Sequence, residues 1–315
     1  MRLLGDIGGT NARFALQHPG RAVGQIAYLR TGDHLSIEAA IDAFLASAAI
    51  FGRPRSMALA IAAPVVGDQV SMVNGPWSFS IAALGARLGL DRIAVLNDFE
   101  ALAHALPALT ADDVVPVGGG VVQAGAPRIV LGPGTGLGLG LYVPTPLGGT
   151  AIATEAGHAT LAAADDVDAR LIAVLGRRFG HASAERALSG AGLANLHQAV
   201  AEIAGVSAAP LAPEAITMRA RDGSDPLCTE TVARFFGLLG SHAGNAALMT
   251  GACGGVYVAG GIVGRLIPEL LASRFRERFV DKGRYRDYLG AIPTVVIVRP
   301  DPAFLGLSRY LDRAP

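Results

Sequence analysis

Apolar residues in this chain fall in short runs separated by glycine and proline turns. Leu3-Leu4 and Ala12-Arg13-Phe14-Ala15-Leu16 flank the turn sequence Asp6-Ile7-Gly8-Gly9-Thr10-Asn11. Far downstream, Ile129-Val130-Leu131 and a run ending in Leu139-Gly140-Leu141-Tyr142-Val143 flank Gly132-Pro133-Gly134-Thr135-Gly136. This pattern predicts strand, glycine turn, strand, twice. Between the hairpins, Ser36 to Phe51 has helical apolar spacing, and Ser56 to Ala62 reads as a buried strand ending at Ala63-Pro64. Val70 to Val73 predicts a short strand before the turn Asn74-Gly75-Pro76-Trp77. Ile81–Leu88 reads as helix, Ile93–Leu96 as strand and Asp98–Ala105 as helix. Beyond the second hairpin the pattern predicts helices at Ala169–Arg178, Leu193–Ile203 and Glu230–Met249, and a loop at Pro210–Pro213. A strand, Gly255–Ala259, breaks at Gly260-Gly261 into a helix from Ile262. The strand Thr294–Val298 and the helix Ala303–Leu311 end the pattern, the helix placed to pack back on the first unit.

This is an α/β chain of 315 residues, long enough for two domains. Pro107 and Gly118-Gly119-Gly120 mark the crossing. The expected division is a small α/β domain, 1–108 with the C-terminal helix 299–315, and a large one, 109–298. Formal net charge is zero, and no basic stripe with interleaved aromatics appears, so no nucleic-acid partner is expected. The basic stretch from Arg274 through Arg286 has acids interspersed and reads as a solvated helix face. Cys228 and Cys253 cannot form a four-thiolate zinc site and read as buried free thiols in a reducing compartment. The N-terminus lacks the features of a secretion signal and no apolar run reaches membrane-spanning length, so a soluble cytoplasmic protein is expected.

The glycine turns carry the first chemical signal. Glycine permits positive φ, and its missing side chain lets a phosphate approach backbone N–H groups. A tight hairpin is the plainer reading of either turn alone. The single lysine, Lys282, is remote from both turns, which excludes a P-loop. No Gly-x-Gly-x-x-Gly opens a helix after a strand, which excludes the dinucleotide fingerprint. Any nucleotide would be clamped by two hairpins, with Mg²⁺ and backbone donors in place of lysine. Asn97-Asp98 follows a strand and opens a helix, where open α/β sheets place ligands. Asp98 there fits a general base for phosphoryl transfer; locally, a helix cap fits as well or better. Glu155, Gly157 and His158 combine a carboxylate, a hinge glycine and an imidazole, and Glu185 follows in Ser183-Ala184-Glu185-Arg186. These acceptors suit a polyhydroxylated ligand and lack metal-site spacing. Taken singly, surface pairing of Glu185 with Arg186 and an ordinary role for His158 remain open. Gly260-Gly261 offers close backbone approach to a nucleotide or simple helix–sheet packing.

In order, these strings resemble bacterial glucokinases of the ATP-dependent, zinc-free type. The resemblance rests on Gly5 to Arg13, Leu96-Asn97-Asp98-Phe99, Gly132 to Gly138, Glu155 to His158, Ser183 to Arg186, Leu188-Ser189-Gly190, Ala259 to Ile262, and Asp281 to Arg284. It spans nearly the whole chain. It implies a two-domain ribonuclease H-like fold of the actin-like ATPase and hexokinase type, with the active site in the interdomain cleft. It implies transfer of the γ-phosphoryl of ATP, with Mg²⁺, to the 6-hydroxyl of glucose. Asp98 would be the base, and Asn97, Asp98, Glu155, His158 and Glu185 would hold the sugar. Asp6, Ile7, Gly8, Gly9, Thr10 and Asn11, with Gly134, Thr135 and Gly136, would hold phosphates, and Gly260 and Gly261 would flank the adenosine. No protein metal ligand is assigned, and the family is usually homodimeric. Pro133, Thr154 and Ala156 depart from the family pattern, the last two beside the sugar-binding glutamate.

Rival functions are a sugar-sensing regulator, for which the first hairpin lies too near the start to leave room for a DNA-reading segment, and a bare ATPase, which needs no polyol pocket. A kinase of the same fold for another hexose or an aminosugar, or one using polyphosphate, is nearer.

Overall fold

The structure, a computed structural model, describes residues 1–48, 53–72, 75–146 and 148–313. The turn expected at Asn74, the end of the strand expected at Val73 and the end of the helix expected to reach Phe51 lie outside the described residues.

Two compact units emerge: Met1–Leu109 with Pro300–Pro315, and Thr110–Arg299. The first contains β1 (Arg2–Ile7), β2 (Asn11–Gln17), β3 (Ala27–Arg30), α1 (Ile37–Ser47), β4 (Ser56–Ile61), β5 (Gln69–Ser71), β6 (Ser78–Ser80), α2 (Ile81–Leu88), β7 (Arg92–Asn97) and α3 (Asp98–Ala105). Its main sheet has the order β3-β2-β1-β4-β7, with β1–β2–β3 antiparallel and β1, β4 and β7 parallel. Both faces are covered, as the period-2 alternation of β4 requires. Met57, Leu59 and Ile61 join a core with Phe14, Ile41 and Phe44. Ala58 and Ala60 face the other way, into a core with Leu4, Leu96 and Ala101.

The second unit contains β8 (Val114–Gly118), β9 (Arg128–Pro133), β10 (Leu137–Val143), β11 (Thr150–Thr154), α4 (Asp166–Phe179), α5 (Gly190–Ala204), α6 (Pro213–Arg221), α7 (Pro226–Thr250), β12 (Val256–Val258), α8 (Gly261–Arg265), α9 (Ile267–Ala272), α10 (Phe275–Val280), α11 (Arg286–Gly290) and β13 (Thr294–Ile297). Its sheet runs β11-β10-β9-β12-β13-β8. The first five of these repeat the plan of the first unit: an antiparallel meander, then two parallel strands. Each plan therefore has one glycine hairpin, β1–β2 or β9–β10, beside its parallel strands.

The last helix, α12 (Pro302–Asp312), belongs to the first unit and places Phe304, Leu307 and Leu311 in the alanine-lined core. The small side chains there let helices approach closely. A Cβ on Gly306 would sit 1.8 Å from the Ala101 carbonyl oxygen, so α12 approaches α3 backbone to backbone only because residue 306 is glycine.

Four expectations need correction. The Pro107–Gly120 crossing contains β8, which pairs antiparallel with β13 and closes one edge of the second sheet. The basic stretch is not a solvated face throughout: Arg278 is buried and donates to Asp168 at 2.8 Å, while Arg276 donates to the carbonyls of Gly119 and Gly290 at 2.8 Å each. Charge alternation did not reveal these partners because the acids lie more than a hundred residues away, at the start of α4. Pro213 opens α6 rather than closing a loop, the usual place for proline in a first turn. Cys228 is buried, whereas Cys253 is half-buried and its thiol donates to Tyr288 Oη at 3.0 Å.

His104 lies 3% exposed between α3 and α12, edge-on to Tyr310. Burial pushes its imidazole down to about 4, helped by the Arg313 and Arg309 charges. An unfolded chain takes up that proton near the ordinary value of about 6.5. The neutral ring therefore contributes stability in full above pH 6.5, and it is lost as pH falls towards 4, on the order of 3 kcal/mol in all. Urea unfolding at pH 7, 6 and 5 should show a shallower acid loss for His104→Gln than for the wild type; equal slopes would show that His104 does not carry this pH dependence.

Candidate active site

In the first unit the parallel register lines up Ile7, Ile61 and Asn97 across β1, β4 and β7. The Gly8–Thr10 turn, the Ala62–Ala63 segment and Asn97-Asp98 thus leave the sheet at the same carboxyl edge. Thr31 fastens the turn from behind: its Oγ1 donates to Gly8 O and its N–H to Thr10 O, both at 3.0 Å. Gly8 N–H donates to Asn11 O at 2.9 Å. The N–H groups of Gly9 and Thr10 have no acceptor among the described residues. These two donors lie on a turn that solvent reaches, which suits an oxyanion.

The helix cap expected at Asn97-Asp98 is made by Asn97. Its Oδ1 accepts from the N–H groups of Phe99 and Glu100, and its Nδ2 donates to Ala63 O at 3.3 Å. Asp98, the first residue of the helix, accepts from its neighbour Phe99 N–H at 3.0 Å through Oδ1. Cap and candidate base are thus adjacent residues with separate tasks.

Asp6 stands opposite Arg13 in the hairpin and accepts from its Nη1 at 2.6 Å. Arg13 in turn lies 3.5 Å from Asp301, which also accepts from the Tyr28 hydroxyl. Burial pushes the Asp6 carboxyl up, against the Arg13 charge that pulls it down. Arg13 takes Asp6 Oδ2, and Oδ1, which has no hydrogen bond among the described residues, is an oxygen of the kind Mg²⁺ takes. Arg13, Thr31 and Asp301 were missed as supporting residues. Arg13 was legible, because a hairpin closing at Gly8–Asn11 sets it opposite Asp6.

The second unit gathers the remaining candidates around one backbone group. Leu137 leaves the Gly134–Gly136 turn; its N–H donates to Glu185 Oε2 at 2.9 Å. Its carbonyl packs against Gly157, where a Cβ would lie 2.0 Å from the oxygen. Close packing therefore requires glycine at 157. The short 3-10 turn Ala156–His158 carries Glu155 and His158 at its ends, exposed, with His158 Nε2 4.0 Å from Glu155 Oε2. A single bridge between Thr160 and Ser183 draws this turn to the Ala184–Arg186 turn, which carries Glu185. Glu185 does not pair with Arg186, whose guanidinium stacks 4.3 Å from the Phe179 ring. Thr154 Oγ1 donates to Leu139 O at 2.9 Å and accepts from Ala156 N–H, so this departure from the family pattern fixes the entry to the turn.

Gly134 N–H donates to Gly136 O at 2.7 Å, and its carbonyl accepts from Gly190 N–H at the start of α5 at 2.8 Å. The N–H groups of Thr135 and Gly136 have no acceptor among the described residues, as in the first hairpin. Gly260 follows β12, whose register with β9 sets it beside the same hairpin. Its φ is +97°, and a Cβ would lie 2.4 Å from Pro133 O. The expectation that turn glycines reach positive φ therefore holds at Gly260 but not at Gly8, Gly9, Gly134 or Gly136. In the hairpins the missing side chain matters through space.

One group of metal-type donors was not foreseen. His197, Asp225 and Cys228 offer atoms within 4.8 Å of one another, on α5 and at the start of α7. Asp225 is already engaged as the cap of α7, through Leu227 N–H at 2.9 Å, and lies 3.7 Å from Arg219. Burial pushes the Cys228 thiol up to about 11, so it is a neutral core group.

The family described as Glucokinase matches residues 3–314. A glucokinase of Paramagnetospirillum magneticum is 47% identical over 310 residues, covering 98% of this chain and 96% of the relative. One of Aromatoleum aromaticum is 48% identical over 314 residues, covering 99% and 95%. Among solved structures, a glucokinase from an Antarctic psychrotroph matches with a TM-score of 0.91 at 33% identity, over 99% of each chain. Its hairpin plan, its capped Asn97-Asp98 corner and these full-length similarities agree: the chain belongs to the glucokinase family.

Proposed function

We propose that this chain transfers the γ-phosphoryl group of ATP to the 6-hydroxyl of glucose, giving glucose 6-phosphate and ADP. The observation that carries this reading is the attachment of Glu185, Glu155 and His158 to the Gly134–Gly136 turn. Acceptors suited to sugar hydroxyls and donors suited to phosphate share one frame at Leu137. A protein that only hydrolyses ATP has no use for the first set. Under this reading the fold is the ribonuclease H-like, two-domain type with substrates in an interdomain cleft, and the working form is a cytoplasmic homodimer. Among the described residues no helix is long and apolar enough to cross a membrane.

Asp98 accepts the 6-hydroxyl proton as that oxygen attacks, and Asn97 holds the corner that aims it. Glu155, His158 and Glu185 bind the remaining hydroxyls. The free N–H groups of Gly9, Thr10, Thr135 and Gly136 bind phosphate oxygens, while Gly260 and Gly261 flank the adenosine. Mg²⁺ would neutralise phosphate charge that no P-loop lysine meets here, and Asp6 Oδ1 is the side-chain oxygen placed to hold it or its water.

Coupled assay of ADP release with a panel of sugars tests the reading. Release should require glucose and a divalent cation together. Equal hydrolysis without sugar, or turnover of an aminosugar or another hexose in preference to glucose, would overturn it, and so would polyphosphate replacing ATP as the better donor. Asp98→Asn should lower kcat by ~10²–10⁴ while glucose binding, measured by calorimetry, stays near the wild-type value. Near-normal turnover in that variant would return Asp98 to a purely structural place.

Glucose should exceed 2-deoxyglucose in kcat/KM, because a site built to bind a hydroxyl leaves a polar group unpaired when it is missing, at roughly 1–3 kcal/mol. Glu155→Ala should narrow that ratio as well as raise KM. An unchanged ratio would remove Glu155 from the sugar site.

A further inference from the structure

Gly136 has a neighbour that a simple phosphate turn does not need. A Cβ on it would lie 2.4 Å from Glu185 Oε2 and 3.3 Å from Cδ. Gly134, in the same turn, is open by comparison: its Cβ would meet only Gly136 O, at 4.0 Å. The Glu185 carboxylate thus occupies the space a side chain at 136 would fill. Its Oε2 accepts the Leu137 N–H, and Oε1 takes no hydrogen bond among the described residues. Glu185 is half-buried and its own backbone is fixed, since Ser189 Oγ donates to Glu185 O at 2.9 Å. Ser189 caps α5, and the next residue, Gly190, donates to Gly134 O at 2.8 Å. Hydrogen bonds therefore run in a closed ring from Gly134 through α5 and Glu185 to Leu137 and back into the turn.

The geometry points to Gly136 as a positioning residue for the sugar, and to Leu137 N–H as the link through which sugar and nucleotide sense each other. This rests on the reading of Glu185 as a sugar-binding carboxylate. One oxygen of Glu185 belongs to the turn and the other is left for a sugar hydroxyl. A hydroxyl bound at Oε1 holds the carboxylate still. The Leu137 N–H···Oε2 bond then fixes the exit of the turn, and with it the Thr135 and Gly136 N–H groups offered to phosphate. By linkage, nucleotide bound at the turn must favour sugar by the same factor. Gly136 is required because any side chain expels the carboxylate from this place.

The test is glucose binding by calorimetry, without nucleotide and with a non-hydrolysable ATP analogue, for wild type, Gly136→Ala and Gly134→Ala. The expected result is that Gly136→Ala weakens glucose about tenfold or more in the absence of nucleotide and loses the mutual enhancement by the analogue. Gly134→Ala should keep the wild-type glucose affinity while weakening the analogue. A Gly136→Ala protein that binds glucose normally and loses affinity only for the analogue overturns the inference and leaves the functional reading intact. Wild-type protein that neither binds nor phosphorylates glucose overturns the functional reading, and the inference falls with it. Should Gly136→Ala not fold, amide exchange at Leu137 in the wild type decides. Slower exchange with glucose alone supports the link, and an unchanged rate overturns it.

Discussion

Parallel hydrogen bonding between β1, β4 and β7 brings Ile7, Ile61 and Asn97 into one row, and the first unit's chemistry depends on that register. A slip of one residue in β4 would send Met57, Leu59 and Ile61 to the alanine side and Ala58 and Ala60 to the phenylalanine side. Neither core would then fill, and the Ala63 carbonyl would leave Asn97 Nδ2. The apolar cores thus set the position of a polar corner. The same rule operates in the second unit, where Leu131 pairs with Val258 and so sets Gly260 against Pro133.

The strands and helices with a clear period were legible. Ile81–Leu88 and Asp98–Ala105 have the bounds that their apolar spacing gives. β3, β8 and β11 were not, because each is a short edge strand of four or five residues, mostly part-exposed or exposed, too short for a period to stand out. The turn glycines were legible as turns, but the reason for them was not. Spacing cannot tell a glycine needed for its backbone angle, such as Gly260, from one needed for a neighbour's oxygen, such as Gly157. Pairings such as Asp6–Arg13 follow from hairpin register, whereas Arg278–Asp168 joins residues that only the tertiary fold brings together. The metal-type group at His197, Asp225 and Cys228 was illegible for the same reason.

Each hairpin turn keeps two backbone donors without acceptors among the described residues, and each is held by other groups: Thr31 in one unit, Glu185 and Gly190 in the other. Leaving a donor unpaired costs little where water reaches it and becomes an advantage when an anion arrives. The supports restrain these donors in part before ligand is bound, so less ordering remains to be done at binding. Thr154 shows how a departure from the family pattern is accommodated: its hydroxyl takes up the backbone groups of Leu139 and Ala156.

The position of α12 in the chain bears on biosynthesis. Residues 302–312 supply Phe304, Leu307 and Leu311 to a sheet face whose strands were made from residue 2 onward. On the ribosome, that face has only α3 against it while all of 110–299 is translated. The second unit is continuous in sequence and has its own large core, so it can close first. Synthesis runs from the N-terminus, yet the N-terminal unit is completed last, and the part of its alanine and leucine face that α12 covers is the surface a chaperone would meet during that delay.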